Sequence, residues 1–343
     1  MYREFYNLKK APFSLTPDPQ YVYMSAQHRE ALSGLIYSAF TRPGLTVLVG
    51  EVGTGKTTLL YTLAELLKGR KFATGICTNP TMTREEFFDY VLASFGVKCP
   101  SQLKSRQLSA LQQELLKNLE EERPSVLILD EAQRLSPELM EEVRLLTNLE
   151  TPQRKLLQII MAGQPELMET IRQPELRQLK QRVSNFCRLE PLSSEDVGEY
   201  ITHRIKRSGL PEQNLFSRPV MYVIHEYSKG IPRTINTLCE SALQVGFALQ
   251  SPRITIAIVR EAAKDLDLIP AQQSTNRSGE TPPATNPFIT SPPLDPPRGN
   301  GSSGHLSEPV KAQEPFLATV PLESYEARQK SFGLLSWLAG RWG

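Results

Sequence analysis

Two spacings of apolar residues alternate along the first 269 residues of this chain. Short, largely apolar runs at 45–49, 73–77, 126–129, 157–161 and 186–189 read as strands of a sheet covered on both faces. Between them, 57–68 and 84–95 place apolar side chains at i, i+3 and i+4, as one face of a helix requires. The stretch 107–121 does the same with Leu108, Leu111, Leu115, Leu116 and Leu119. Strands alternating with helices predict an α/β fold in which a parallel five-stranded sheet is flanked by helices.

From Pro191 the strand spacing disappears. Ser193 or Ser194 can cap a helix running to Arg207, with Glu195 and Asp196 in its favourable first turn. Further helices are expected at 217–228, 232–250 and 256–267, which makes 191–269 a small α-helical domain after an α/β domain at 1–190. At Pro270 the composition changes: eleven of the 27 prolines fall between 270 and 321, with Ser, Thr, Gly and Asn between them. Such a segment buries too little apolar surface to offset its ordering entropy, so 270–325 is expected to be a disordered Pro-rich tail linker. It leads into 326–343, where Phe332, Leu334, Leu335, Trp337, Leu338 and Trp342 gather as a candidate docking segment for a protein partner.

Charge changes this picture little. The chain carries 39 basic and 37 acidic residues, so no global field announces a nucleic-acid or acidic partner. Cys77, Cys99, Cys187 and Cys239 show no metal-like spacing and read as thiols of a reducing compartment. No signal-peptide core and no apolar run near the ~20 residues of a membrane helix is present, so a cytoplasmic location is expected.

The chemistry concentrates at two strand ends. After the run LTVLV comes GEVGTGKT, a full GxxxxGK[ST] element, which then opens a helix. Its residues Gly50, Glu51, Val52, Gly53, Thr54, Gly55, Lys56, Thr57 and Thr58 are expected to wrap phosphates with backbone N–H groups at a helix N-terminus. Lys56 is assigned to the β- and γ-phosphates and Thr57 to a Mg²⁺ ion. The second element, SVLILDE, delivers Asp130 and Glu131 to a strand end, with Asp130 expected at the metal and Glu131 at the attacking water. ATP and Mg²⁺ are therefore the expected ligands, and hydrolysis the expected reaction. His28 is expected to cap or pack locally.

These motifs resemble the AAA+ ATPases, and more closely the ExeA/GspA-type secretion ATPase family with its MshM-like pilus-biogenesis members. The resemblance covers residues 1–268 and rests on FYNLKKAPFSLTPDPQYVYMSAQHREAL, LILDEAQRLSPELMEEVRLLTNLET, LLQIIMAGQPEL, LRQLKQRV and GIPRTINTLCE as well as the phosphate loop. It implies a helical lid over the nucleotide, a sensor role for Gln164 and a second, lid-borne sensor at Arg233. It implies that Asn79 restrains Glu131, and that an arginine finger lies at Arg182, or second at Arg177. It also implies an N-terminal segment, 1–44, beside the adenine, stiffened by Pro17 and Pro19, with Phe13 or Tyr23 against the base. By the same resemblance the protein is expected to be a homo-oligomer, ring or filament, with ATP at subunit interfaces. Its role would be in a secretion, pilus or polysaccharide-export system. The alternative is a DNA-bound transposition regulator of the related TniB/TnsC type that recruits a transposase through its tail.

Overall fold

A computed structural model of the chain describes residues 1–14, 21–78, 80–209 and 215–271. Asn79, Pro17, Pro19, most of the expected linker and the whole aromatic tail lie outside the described residues.

Five parallel strands form one sheet: β1 (Leu45–Gly50), β2 (Ala73–Cys77), β3 (Ser125–Leu129), β4 (Leu157–Gly163) and β5 (Val183–Leu189), in the order β2-β3-β4-β1-β5. The alternation of side chains along each strand divides the core in two. Leu45, Val47, Leu127, Leu129, Ile159 and Met161 face one hydrophobic cluster, and Leu48, Val126, Ile128, Ile160 and Ala162 face the other. Onto the second face pack α2 (Ala26–Thr41) and α3 (Lys56–Lys68). Onto the first pack α4 (Arg84–Ser94), α5 (Lys104–Glu120), α6 (Pro137–Leu146), α7 (Glu166–Arg172) and α8 (Arg177–Arg182). A short α1 (Tyr2–Phe5) precedes them all.

The three central strands are fully buried, as their largely apolar runs predict, and the buried polar residues Thr46 and Gln158 bond to each other. The last strand begins three residues earlier than its apolar run, because β5 is an edge whose first residues alternate between half-buried and exposed. α5 likewise starts at Lys104 rather than 107.

Four helices form the second layer: α9 (Ser194–Arg207), α10 (Arg218–Ser228), α11 (Pro232–Ala248) and α12 (Ile256–Asp265). Of the two serines expected to cap α9, Ser193 does so, in a reciprocal capping box with Asp196. The core of this layer takes in Tyr6, Leu8 and Phe13 from the opposite end of the chain. Tyr6, Leu8 and Phe13, read from sequence with the α/β part, thus bury their side chains among α9–α12.

Candidate functional site

The phosphate loop joins the C-terminal end of β1 to the start of α3. Thr54 closes it, its hydroxyl and backbone N–H both donating to the Glu51 carbonyl at 2.8 and 3.3 Å. Gly53 turns with φ +83°, and a β-carbon there would come within 2.7 Å of Arg233 Cβ. The position thus demands glycine twice over, for its left-handed backbone and for the close approach of α11. Arg233 completes that approach by donating its backbone N–H to the Gly53 carbonyl at 3.2 Å.

Lys56, at the start of α3, is only 5% exposed and folds back over the loop. Its Nζ donates to the carbonyls of Gly50 and Glu51 at 2.7 and 2.9 Å. Burial lowers the ammonium's pKa from the usual lysine value, while the facing carboxylates of Glu131 and Asp130 oppose that shift. Thr57 Oγ1 donates to Asp130 Oδ2 at 2.6 Å. A hydroxyl and a carboxylate are thus paired across the ends of β1 and β3.

Donors and acceptors of this kind fit a magnesium nucleotide. The cation binds hard oxygens, takes few protein ligands and fills its remaining positions with water and phosphate oxygens. The Thr57–Asp130 pair is such a donor set, and no cluster of three metal-ligating side chains competes with it among the described residues. Lys56 is bonded only to carbonyls, so its charge is available to a phosphate.

Glu131 follows Asp130 in a left-handed conformation, φ 53°, before the tight helical turn Ala132–Arg134. Its backbone N–H donates to Asp130 Oδ1 at 2.9 Å. Gln164, beyond the end of β4, has its amide Nε2 3.5 Å from Glu131 Oε2.

A cavity of about 390 Å³ opens between the phosphate loop and the helical layer. It is bounded by Val52–Leu59, Glu131, Pro232 and Arg233, and across from them by residues 21–24, Leu192, Tyr200, Arg204 and Asn236. That size suits a nucleotide. Of the two aromatics expected at the base, Tyr23 lines the cavity and its hydroxyl donates to Glu199 at 2.7 Å. Phe13 does not: it is 1% exposed, stacked edge-on against Phe216 inside the helical core. A phenyl ring with no polar edge is better accommodated there than at a half-open cleft.

Sequence reasoning missed three polar residues that line this cavity. Arg204 donates to the Pro12 carbonyl through Nε, and to Tyr200 Oη and Asn236 Oδ1 through Nη1, at 2.6–2.8 Å. Tyr200 and Arg204 stand one helical turn apart on α9, a pairing visible in hindsight from their i, i+4 spacing. His28 does more than cap locally: its ring reaches the phosphate loop, with Nε2 3.1 Å from the Thr54 carbonyl. Arg177 and Arg182 open and close α8, are exposed and lie outside the lining of their own chain's cavity.

Sheet order, phosphate loop and helical layer together define a nucleotide-binding site of the P-loop AAA+ class. Comparison with known proteins agrees, since residues 40–171 match the AAA domain family. The chain is 39% identical over 280 residues to the general secretion pathway protein A of Aeromonas hydrophila, across 81% of this chain and 51% of that protein. Solved structures with the same fold include Cdc6p from Pyrobaculum aerophilum (TM-score 0.57, 17% identity, 74% of this chain and 70% of that one). The Aeropyrum pernix ORC2 protein is similar too (TM-score 0.54, 16% identity, 75% and 72%), as is Drosophila ORC bound to DNA (TM-score 0.58, 15%, 80% and 68%). The chain therefore has the P-loop AAA+ fold, and its sequence is similar to that of general secretion pathway protein A. It spans about half the length of that relative. Among the described residues no helix is long and apolar enough to cross a membrane.

Proposed function

We propose that this protein binds Mg-ATP in the cleft between sheet and helical layer, hydrolyses it, and uses the cycle as an oligomeric switch or assembly factor for a secretion-type system. The observation that carries the reading is the convergence of Lys56, the Thr57–Asp130 pair and Glu131 at the ends of β1 and β3, with Lys56, Thr57 and Glu131 lining one cavity. Lys56 would leave its carbonyl partners to meet phosphate oxygens. Thr57 and Asp130 would hold the cation, which when bound supplies charge neutralisation on those oxygens. Glu131, beside them, would orient water and accept its proton. Arg233, tied to Gly53 through its backbone, lets the helical layer respond to what the loop holds. Arg182, with Arg177 second, would serve the site of a neighbouring subunit. Similarity to general secretion pathway protein A supports the secretion role. Four free cysteines, three of them buried, agree with a cytoplasmic location.

Phosphate release and binding of a fluorescent ATP analogue test the reading together. Lys56→Ala should weaken nucleotide binding roughly ten- to a hundred-fold, the value of a charged hydrogen-bonding group. Glu131→Gln should bind normally and turn over about a hundred-fold or more slowly. Normal turnover by the Glu131 variant would remove Glu131 as the base, and a wild-type protein that releases no phosphate would remove the hydrolytic reading.

A further inference from the structure

Glu131 is followed two residues later by a glutamine whose side chain folds back onto it. Gln133 Nε2 donates to Glu131 Oε2 at 2.6 Å, and Gln133 Oε1 accepts the backbone N–H of Gln164 at 3.1 Å. The Gln164 side chain approaches the same Glu131 oxygen from the other side, at 3.5 Å. Among the described residues no hydrogen bond reaches Glu131 Oε1. One carboxylate oxygen is gripped and the other is left open, and Glu131 itself lines the cavity.

Two further observations mark this as a built contact. Glu131 holds a left-handed backbone, uncommon for a residue with a β-carbon, and that geometry starts the turn on which Gln133 is carried. At Gly163, the last residue of β4, a β-carbon would lie 2.8 Å from Gln133 Oε1. Space for the Gln133 amide exists because that strand ends in glycine. Gln133 lies outside the cavity lining, and its side chain bonds to Glu131, which lines the cavity, and to the Gln164 backbone.

We propose that Gln133 is a positioning residue for hydrolysis: it fixes Glu131 by one oxygen, anchors it to the end of β4, and presents the other oxygen to water. A carboxylate on a freely rotating side chain would spend much of its time misdirected, and small misplacements at a reacting centre are costly. Gln133 removes that freedom without touching the nucleotide. The same contact ties Glu131 to the Gln164 peptide, so a displacement at the end of β4 is passed directly to the base. The proposal rests on the hydrolytic reading of Glu131 given above.

Steady-state ATPase kinetics of the full chain, with binding of a fluorescent ATP analogue and a thermal melt, test it. Gln133→Ala should lower kcat roughly ten- to a hundred-fold while KM and analogue binding stay within about two-fold of wild type, because Gln133 does not reach the nucleotide. Gln133→Glu keeps the shape but sets a second carboxylate against the first, so it should be slower still. A structural role predicts the reverse order, since the isosteric variant disturbs packing less. Should the alanine variant fail to fold, the glutamate variant alone carries the test through its loss of kcat at unchanged KM. Wild-type or faster turnover in either variant, a glutamate variant faster than the alanine one, or a matching loss of nucleotide binding would overturn the proposal. If Gln133→Ala is unimpaired while Glu131→Gln is inactive, only this inference falls. A wild-type protein with no ATPase would instead remove the hydrolytic reading beneath it, and an active Glu131→Gln would remove Glu131 as the base on which it rests.

Discussion

His28 shows how a side chain outside the phosphate loop can hold it in shape. The Thr54 carbonyl only accepts, so the 3.1 Å contact requires a proton on Nε2. Nδ1 is then an acceptor for the Ser25 hydroxyl at 2.7 Å, while Ser25 Oγ accepts the His28 backbone N–H. This set of bonds is complete with a neutral ring. Burial lowers the imidazole below its usual pKa, with the Thr54 bond and the Asp196 charge opposing. The unfolded chain therefore takes up the proton first as pH falls. The associated stability is fully present above the ordinary histidine value of ~6.5 and declines as pH drops toward the lower folded value. His203, also lowered by burial, acts in the same direction. Thermal melts should show a lower Tm at about pH 5.5 than at about pH 7.5, and His28→Gln should reduce that difference. An unchanged difference in the variant would place the effect elsewhere.

At the scale of elements, the parallel strands bring the ends of β1, β3 and β4 side by side, which is where the Lys56, Asp130, Glu131 and Gln164 side chains are found. Much of this was legible in sequence. Fully buried strands leave largely apolar runs, and a phosphate loop between strand and helix is a pattern with little tolerance. The edge strand β5 was only half legible, because exposure admits polar residues such as Ser184 and Asn185. The Gln133–Glu131–Gln164 contact was not legible at all, since it depends on one left-handed residue and on a glycine thirty positions away. Helix α8 carries another consequence. Its exposed Arg182 does not line its own cavity, so the proposed finger has to act across a subunit boundary. Arg182→Ala should bind nucleotide normally and lose roughly three orders of magnitude in hydrolysis. Mixed with Glu131→Gln, it should regain part of the activity, because one competent site can then form between unlike subunits. A mixture as inactive as its components would exclude a finger in trans.

For the whole molecule, the two layers are joined on both sides of the cavity. One link is the peptide between β5 and α9. The other is the N-terminal segment, whose Tyr6, Leu8 and Phe13 lie in the helical core, whose residues 21–24 line the cavity, and whose helix α2 packs on the sheet. This second link was invisible in sequence because its contacts span some of the longest separations in the chain, such as the Tyr2–Glu240 hydrogen bond. It makes the N-terminal side chains part of the helical layer's stability. Phe13→Ala removes a fully buried ring and should cost about 3–5 kcal/mol. Chemical denaturation should therefore show the helical layer unfolding at lower denaturant in the variant, with nucleotide affinity falling alongside it. A variant as stable as wild type would mean that the ring contributes no packing there.

The partnership between Phe13 and Phe216 also has a bearing on how the protein is made. Synthesis delivers Phe13 two hundred residues before its partner, a delay of roughly 10–40 s at ~5–20 residues per second. Throughout that interval Tyr6, Leu8 and Phe13 have no native core to enter, and even the sheet is completed, at Leu189, before the helices that enclose them. The nascent chain thus carries an adhesive apolar segment ahead of the sheet, and that segment becomes inert only when α9–α12 leave the ribosome.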